Sequence, residues 1–261
     1  MYPPSRIVCL TEETVETLYL MGDQDRIIGV SGFVVRPPEA RRKPKVSTFI
    51  EAKTDEIVAL KPDLVFTFSD IQADITANLM REGLDVHAFN HRTVEGIFDM
   101  IRTVGALIGE PEKAEKLAAD LQHHVDAVRE KANGLARRPK VYFEEWDDPM
   151  ISAIGWVSEL IEIAGGENVF ADRAFGQAAK DRFVTAEEVI AAQPDIIIGS
   201  WCGKGFKKES VAAREGFDQI PAVKNNRLYE IKSAIILQPG PAALTDGLEE
   251  MQEIIRSFRS E

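Results

Sequence analysis

A thirteen-residue pattern occurs twice, ungapped and 132 residues apart: TDEIVALKPDLVF at residues 54–66 and AEEVIAAQPDIII at residues 186–198. The offset is half of the 261-residue chain. Each copy carries acids where a helix would begin, Asp55 and Glu56 or Glu187 and Glu188, and the helix dipole favours negative charge there. Ile57 and Leu60, like Val189 and Ala192, fall one turn apart on one helix face. Pro62 and Pro194 cannot continue a helix, because proline lacks the amide hydrogen and clashes with the preceding turn. The runs LVF and III that follow are branched or aromatic and suit a strand buried on both faces. Helix, Pro-Asp turn and strand, repeated at half the chain, predict a duplicated α/β protein with two similar lobes.

The rest of the chain keeps that rhythm. In the first half, strands are expected at residues 6–10 and 26–30, with Thr11 as the cap of a helix that stops at Gly22. A basic, proline-rich loop at 31–46 reads either as a ligand-facing edge or as a solvated surface. The repeat supplies the next strand, and VHAFN leads to His91 and Arg92. A long helix after Pro111 has Ala114, Leu117, Leu121, Val125 and Val128 at spacings of three and four, which makes one apolar stripe. At about 1.5 Å per residue it spans some 30 Å and reads as a connector. His123 and His124 are adjacent, so they diverge around the helix and do not share a metal. KVYFE and WVSELIEIAGG then restart the strand and helix. The boundaries read 1–108 for an N-terminal lobe, 109–134 for the connecting helix and 135–261 for a C-terminal lobe. The fold class is α/β, with two Rossmann-like lobes joined by a long connecting helix.

Composition narrows the function. A formal charge of −12 disfavours nucleic acid and anionic membrane surfaces as partners. The two cysteines, Cys9 and Cys202, form neither a disulfide framework nor a metal cage, and both read as small packed side chains. No run approaches the about 20 apolar residues of a bilayer span, and the amino-terminal residues lack a signal-peptide pattern. The expectation is a cytoplasmic chain as written, or a periplasmic one if an export signal was removed.

The oddest segment is EEWDDPMISAIG. Glu144, Glu145, Asp147 and Asp148 read either as an acid/base or metal site in a loop, or as a solvated acidic face. GKGFKK, after Trp201 and Cys202, lacks the full phosphate-loop pattern. From the carboxyl ends of the expected strands, where open α/β sheets bind ligands, the candidate ligand residues are Phe33, Arg36, Phe49, Phe68, His91, Arg92, Glu145, Trp146, Arg182, Trp201 and Gln238. The arginines favour an anionic group.

RIVCL, MGDQDRIIGV, PPEARRKPKV, DEIVALKPDLV and, in the second half, IEIAGGENVFAD with EEVIAAQPDIII carry a resemblance along nearly the whole chain. The sequence resembles the cobalamin and iron-chelate solute-binding proteins of ABC importers, the class with a helical backbone. That resemblance implies two Rossmann-like lobes, a helix between them and a ligand cleft. It also implies delivery of a corrinoid, haem or siderophore to an ABC permease, with one surface acid per lobe meeting permease arginines; by motif these acids are Asp55 and Glu187. Phe49 and Phe68 stand where tryptophans frame the corrinoid in cobalamin binders. The implied protein is a monomeric binder of a corrinoid or related metal chelate, with no catalytic residue, no protein-bound metal and no covalent cofactor. A cytoplasmic enzyme or chaperone of cofactor metabolism, or a binder of a small anion, is the alternative.

Overall fold

A computed structural model of the chain describes residues 2–134 and 137–258. It divides into two compact units, Met1–His91 with Glu95–Leu121, and Arg92–Val94 with Gln122–Glu261. The boundary expected between 134 and 135 touches residue 135, which lies outside the described residues.

The first unit is built on β1 (Ile7–Cys9), β2 (Ile27–Ser31), β3 (Lys45–Ser47), β4 (Leu64–Phe68) and β5 (Val86–Phe89), in the order β3-β2-β1-β4-β5. Every pairing is parallel, so each connection crosses over the sheet. Three crossovers run through α1 (Glu12–Leu20), α2 (Thr54–Ala59) and α3 (Ala73–Arg81), and α4 (Val94–Ile108) follows β5. β1 and β4 are buried throughout, as their unbroken apolar sequences require, and Val8, Leu10, Ile57, Val65 and Leu79 form a core with them. The stretch expected to be entirely loop contains β3. This edge strand is three residues long and directly follows Pro44, so no periodicity marks it.

α5 (Pro111–Ala132) runs without interruption from the first unit into the second, which divide between Leu121 and Gln122. Its buried positions, Ala114, Ala118, Leu121, Val125, Val128 and Ala132, keep a spacing of three and four, but Leu117, expected in the stripe, is half-buried and Ala118 takes its place.

The second unit centres on β6 (Lys140–Asp147). β7 (Met150–Ser152) pairs antiparallel with its second half, and β8 (Glu167–Asn168) pairs parallel with its start. On the other edge lie β9 (Ile196–Gly199) and β10 (Leu228–Glu230), both parallel. α6 (Gly155–Ile163) and α7 (Ala186–Ala192) connect them. The path β8-β6-β9-β10 repeats β2-β1-β4-β5, and the hairpin to β7 is new. Residues 144–152, expected as an acidic loop, are therefore mostly strand.

The repeated pattern is one local structure made twice. Lys61 and Gln193, each just before its proline, take φ of 49° and 50°, the left-handed conformation that ends a helix. The following aspartates each grip the first strand of their own unit. The Asp63 carboxylate accepts from the Arg6 amide at 2.8 Å, and the Asp195 carboxylate accepts from the Lys140 amide at 2.9 Å.

Candidate functional site

The carboxyl edge of the first sheet is organised by Gln72, a residue the sequence reading passed over. Its amide is fully buried, donates to the carbonyls of Leu10 (3.3 Å) and Phe49 (3.0 Å), and accepts from the Phe68 backbone at 3.1 Å. One side chain thus ties the ends of β1 and β4 to the segment after β3. Ser69, at φ 64°, turns the chain out of β4, and its amide donates to the Phe89 carbonyl at 2.6 Å. The Phe68 ring then meets His91 edge-on at 5.2 Å. Of the expected residues, Phe49, Phe68 and His91 are brought together here.

Around them the loops after β2, β3 and β4 hold Phe33, Ile50 and Ile71, which are 52%, 68% and 54% exposed. Large apolar side chains on the loops at strand carboxyl ends, open to solvent, lie where open α/β sheets bind ligands. Ile50 and Ile71 were not among the sequence candidates. Each follows a polar turn or strand end, which is the signal that marks them.

Charge at this edge differs from the expectation of free arginines. The Arg36 guanidinium pairs with Glu16 at 3.2 Å. Glu12 and Glu13, in the first turn of α1, are only 7% and 1% exposed. Burial raises their carboxyls to about 7 and about 8. Thr11, expected to cap the helix, instead donates its hydroxyl to Glu13 Oε1. Oε2 of each glutamate is buried without a hydrogen-bond partner.

In the second unit three acids of the β6-β7 hairpin, Glu144, Glu145 and Asp147, are each held by a cation from a distant segment, while Asp148 is exposed. Glu144 is fully buried and accepts from Arg214 (2.9 Å), Trp201 Nε1 (3.1 Å) and the Tyr142 hydroxyl (3.0 Å). Glu145 is bridged by the Arg182 guanidinium, with Nη2 to Oε1 at 3.1 Å, and Asp147 pairs with Lys204 at 2.6 Å. Glu145 lies at the irregularity where the β6–β7 register shifts between Glu144 and Trp146, and the two neighbouring acids find different partners. Of the two readings of the segment, an acid/base or metal site and a solvated acidic face, neither describes Glu144, Glu145 and Asp147, whose carboxylates are paired with cations. The pairing also corrects two ligand candidates. Arg182 is 3% exposed and spent on Glu145, and Trp201 is 3% exposed and packs its indole into the core with Tyr142, Phe206 and Phe217.

Trp146 stays half-buried, with Lys204 Nζ 4.0 Å above its ring, a cation–π contact. Gly199 permits the close packing next to Trp201: a Cβ there would lie 1.8 Å from the Phe206 ring. Arg92 belongs to the second unit, where its carbonyl rests against Gly155 so closely that a Cβ would come within 2.1 Å. Gln238 is half-buried after the short helix Ser233–Ile236. Phe175 and Phe183, which the sequence reading did not single out, are 48% and 41% exposed. Cys9 is buried as expected, whereas Cys202 is exposed.

Asp55 and Glu187 occupy matching places in the first turns of α2 and α7, and both are exposed. Glu187 is held below the usual carboxylate range by its own backbone amide and the Thr185 hydroxyl, so it is charged at neutral pH. Among the described residues no group of three or more His, Cys, Asp and Glu side chains is placed to hold a metal ion, and no helix is long and apolar enough to cross a membrane. The chemistry on offer is apolar and aromatic contact, an imidazole, and unfilled hydrogen-bond acceptors.

Comparison with known proteins agrees with this architecture. The sequence profile of the periplasmic binding protein family matches residues 7–235. The vitamin B12-binding protein of Vibrio parahaemolyticus is 28% identical over 250 residues, covering 95% of this chain and 88% of that protein. The ABC transporter substrate-binding lipoprotein YvrC of Bacillus subtilis, itself uncharacterized, is 26% identical over 261 residues, covering 97% of this chain and 80% of that one. The solved structure of the periplasmic heme-binding protein RhuT from Roseiflexus sp. RS-1, in apo form, superposes with a TM-score of 0.81 at 25% identity, covering 96% of this chain and 99% of the other.

Proposed function

The chain belongs to the periplasmic binding protein family, and on that premise we propose that it binds a corrinoid, or a closely related metal chelate, without covalent attachment and presents it to an ABC-type importer. The observation that carries this reading is the set of exposed apolar side chains, Phe33, Ile50 and Ile71, on the loops after β2, β3 and β4, at the carboxyl edge that also carries Phe68 and His91. A large, flat, largely apolar chelate buries such a surface. Within the first unit, Phe33, Phe49 and His91 supply contact area beside the buried Phe68 ring, with Arg36 as a polar neighbour; Arg92, Glu145, Trp146 and Gln238 are candidates of the second unit taken by itself. Relatives named for vitamin B12 and for heme support the ligand class.

The metal travels inside the ligand. Catalysis is not required by any residue described, because the hairpin acids that would serve as acid and base are engaged by Arg214, Arg182 and Lys204. The paired state of Arg36 and Arg182 also weakens the small-anion alternative. The expectation of a cytoplasmic chain finds no support among relatives named as a lipoprotein or as periplasmic, and we place the protein outside the cytoplasm.

Asp55 and Glu187 are the docking points for the importer. Charge reversal at both should abolish association with permease-containing vesicles while leaving ligand affinity unchanged; unchanged association removes the docking role. The ligand reading is tested by thermal unfolding with cobalamin, cobinamide and haem. A ligand at 100 times its dissociation constant adds about 2.7 kcal/mol and raises the midpoint by several degrees. No shift with any of the three removes it.

A further inference from the structure

Resting on the reading that the first sheet's edge receives the chelate, we propose that Glu12 and Glu13 face the ligand as hydrogen-bond acceptors, and select a chelate rimmed by neutral N–H-bearing carboxamides over one that carries carboxylates.

The placement comes from the chain. α1 begins two residues after Leu10, whose carbonyl is one of the three backbone groups held by Gln72 at the sheet edge. Glu13 does not point along its helix into solvent; it bends back to Thr11, at the end of β1, where one oxygen takes the hydroxyl. Its other oxygen, and one oxygen of Glu12, are buried with no donor. The Ser47 hydroxyl, at the end of β3 on the same edge, is likewise buried without a partner. Native interiors rarely leave such groups unmatched. Three of them along one carboxyl edge of one sheet are matched by something that arrives.

The chemistry of the newcomer follows from sign. Neither glutamate pairs with a cation among the described residues, and their titratable neighbours are each other and the Cys9 thiol, pushed up to about 12 by burial. Above about pH 8, where both glutamates are ionised, a ligand carboxylate here would add a further negative charge in a poorly solvated place and be repelled. An amide N–H would instead complete a charge-assisted hydrogen bond. Sites built around buried acceptors discriminate strongly against a ligand that lacks the donor.

The test compares two corrinoids of identical ring and metal: cobinamide with all peripheral amides intact, and its derivative with one amide hydrolysed to a carboxylate. At about pH 8.5, calorimetry should show the amide form binding wild type about tenfold or more tightly than the acid form. In the double variant Glu12→Gln and Glu13→Gln, the ratio should narrow to about threefold or less. A ratio unchanged in that variant, with binding intact, overturns the inference and leaves the functional reading standing. Absence of binding by wild type to either cobinamide overturns the inference, and the functional reading falls with it only if cobalamin and haem fail to bind as well. Should the variant fail to fold, wild type alone decides. At about pH 6, below the carboxyl values of about 7 and about 8, the ratio must narrow relative to about pH 8.5. An equal ratio at both pH values overturns the inference.

Discussion

Asp63 and Arg6 hold each other twice: the Arg6 amide donates to the Asp63 carboxylate at 2.8 Å, and the Asp63 amide donates to the Arg6 carbonyl at 2.9 Å. Asp195 and Lys140 repeat the exchange at 2.9 Å and 2.8 Å. The aspartate of each repeat therefore fixes where the first strand of its unit begins. Replacing Asp63 or Asp195 by alanine removes hydrogen bonds to a charged acceptor, and each variant should lose about 1.5–3 kcal/mol in urea denaturation. Partial burial would raise the Asp63 carboxyl, but the amides of Ser5 and Arg6 outweigh it and hold the group below its usual value. Its contribution is present above the unfolded value of about 3.9 and is lost as pH falls through the folded one, so wild type and Asp63→Ala should converge in acid.

Glu144 and Arg214 test whether the hairpin acids are structural. Glu144 is fully buried, and removing its cation strands a charge. Arg214→Met should cost about 3–5 kcal/mol, while Arg214→Met combined with Glu144→Gln should recover much of the loss. Guanidinium denaturation of wild type, Arg214→Met, Glu144→Gln and the double variant, read as a double-mutant cycle, checks this.

The repeat was legible because its parts are local: acids in a first turn, a proline stop and an apolar strand each leave a mark within a few residues. The order β3-β2-β1-β4-β5 was legible in kind, since alternating strand and helix imply parallel crossovers. What lay hidden depends on distance along the chain. Glu144 reads as one of four neighbouring acids, and nothing near it announces Arg214 or Trp201 as its partners. Gln72 looks like any polar helix start, yet it joins three strand ends. Glu12 and Glu13 match the usual preference for acids in a first turn, and only the fold shows them turned inward. Trp201 was singled out correctly as a large aromatic at a strand end, but sequence does not say on which side of the chain its ring lies.

Trp201 supplies a third prediction. With its indole in the core and its Nε1 donating to Glu144, Trp201→Ala should destabilise the protein by about 3–5 kcal/mol in thermal or denaturant unfolding. Corrinoid affinity, measured where the variant remains folded, should change little. A stable variant with lost affinity would return this residue to the ligand surface.

Glu13 gives a fourth, through pH. Burial raises its carboxyl to about 8, above the unfolded value of about 4.3, so the folded state favours the neutral acid. Stability from this group is complete below the unfolded value and declines as pH rises toward the folded one, at up to about 1.4 kcal/mol per pH unit. Glu13→Gln, which cannot ionise, should therefore be more stable than wild type at about pH 8, with the gap closing toward about pH 4.

Equilibrium binding of cobalamin and cobinamide to the purified wild-type protein, by calorimetry with the visible spectrum followed in parallel, bears most directly on the central claim. The account predicts saturable binding of at least one of them with a micromolar or tighter dissociation constant, weakened by Phe33→Ala at the edge ordered by Gln72. Heats indistinguishable from dilution and an unchanged spectrum with both corrinoids would contradict it.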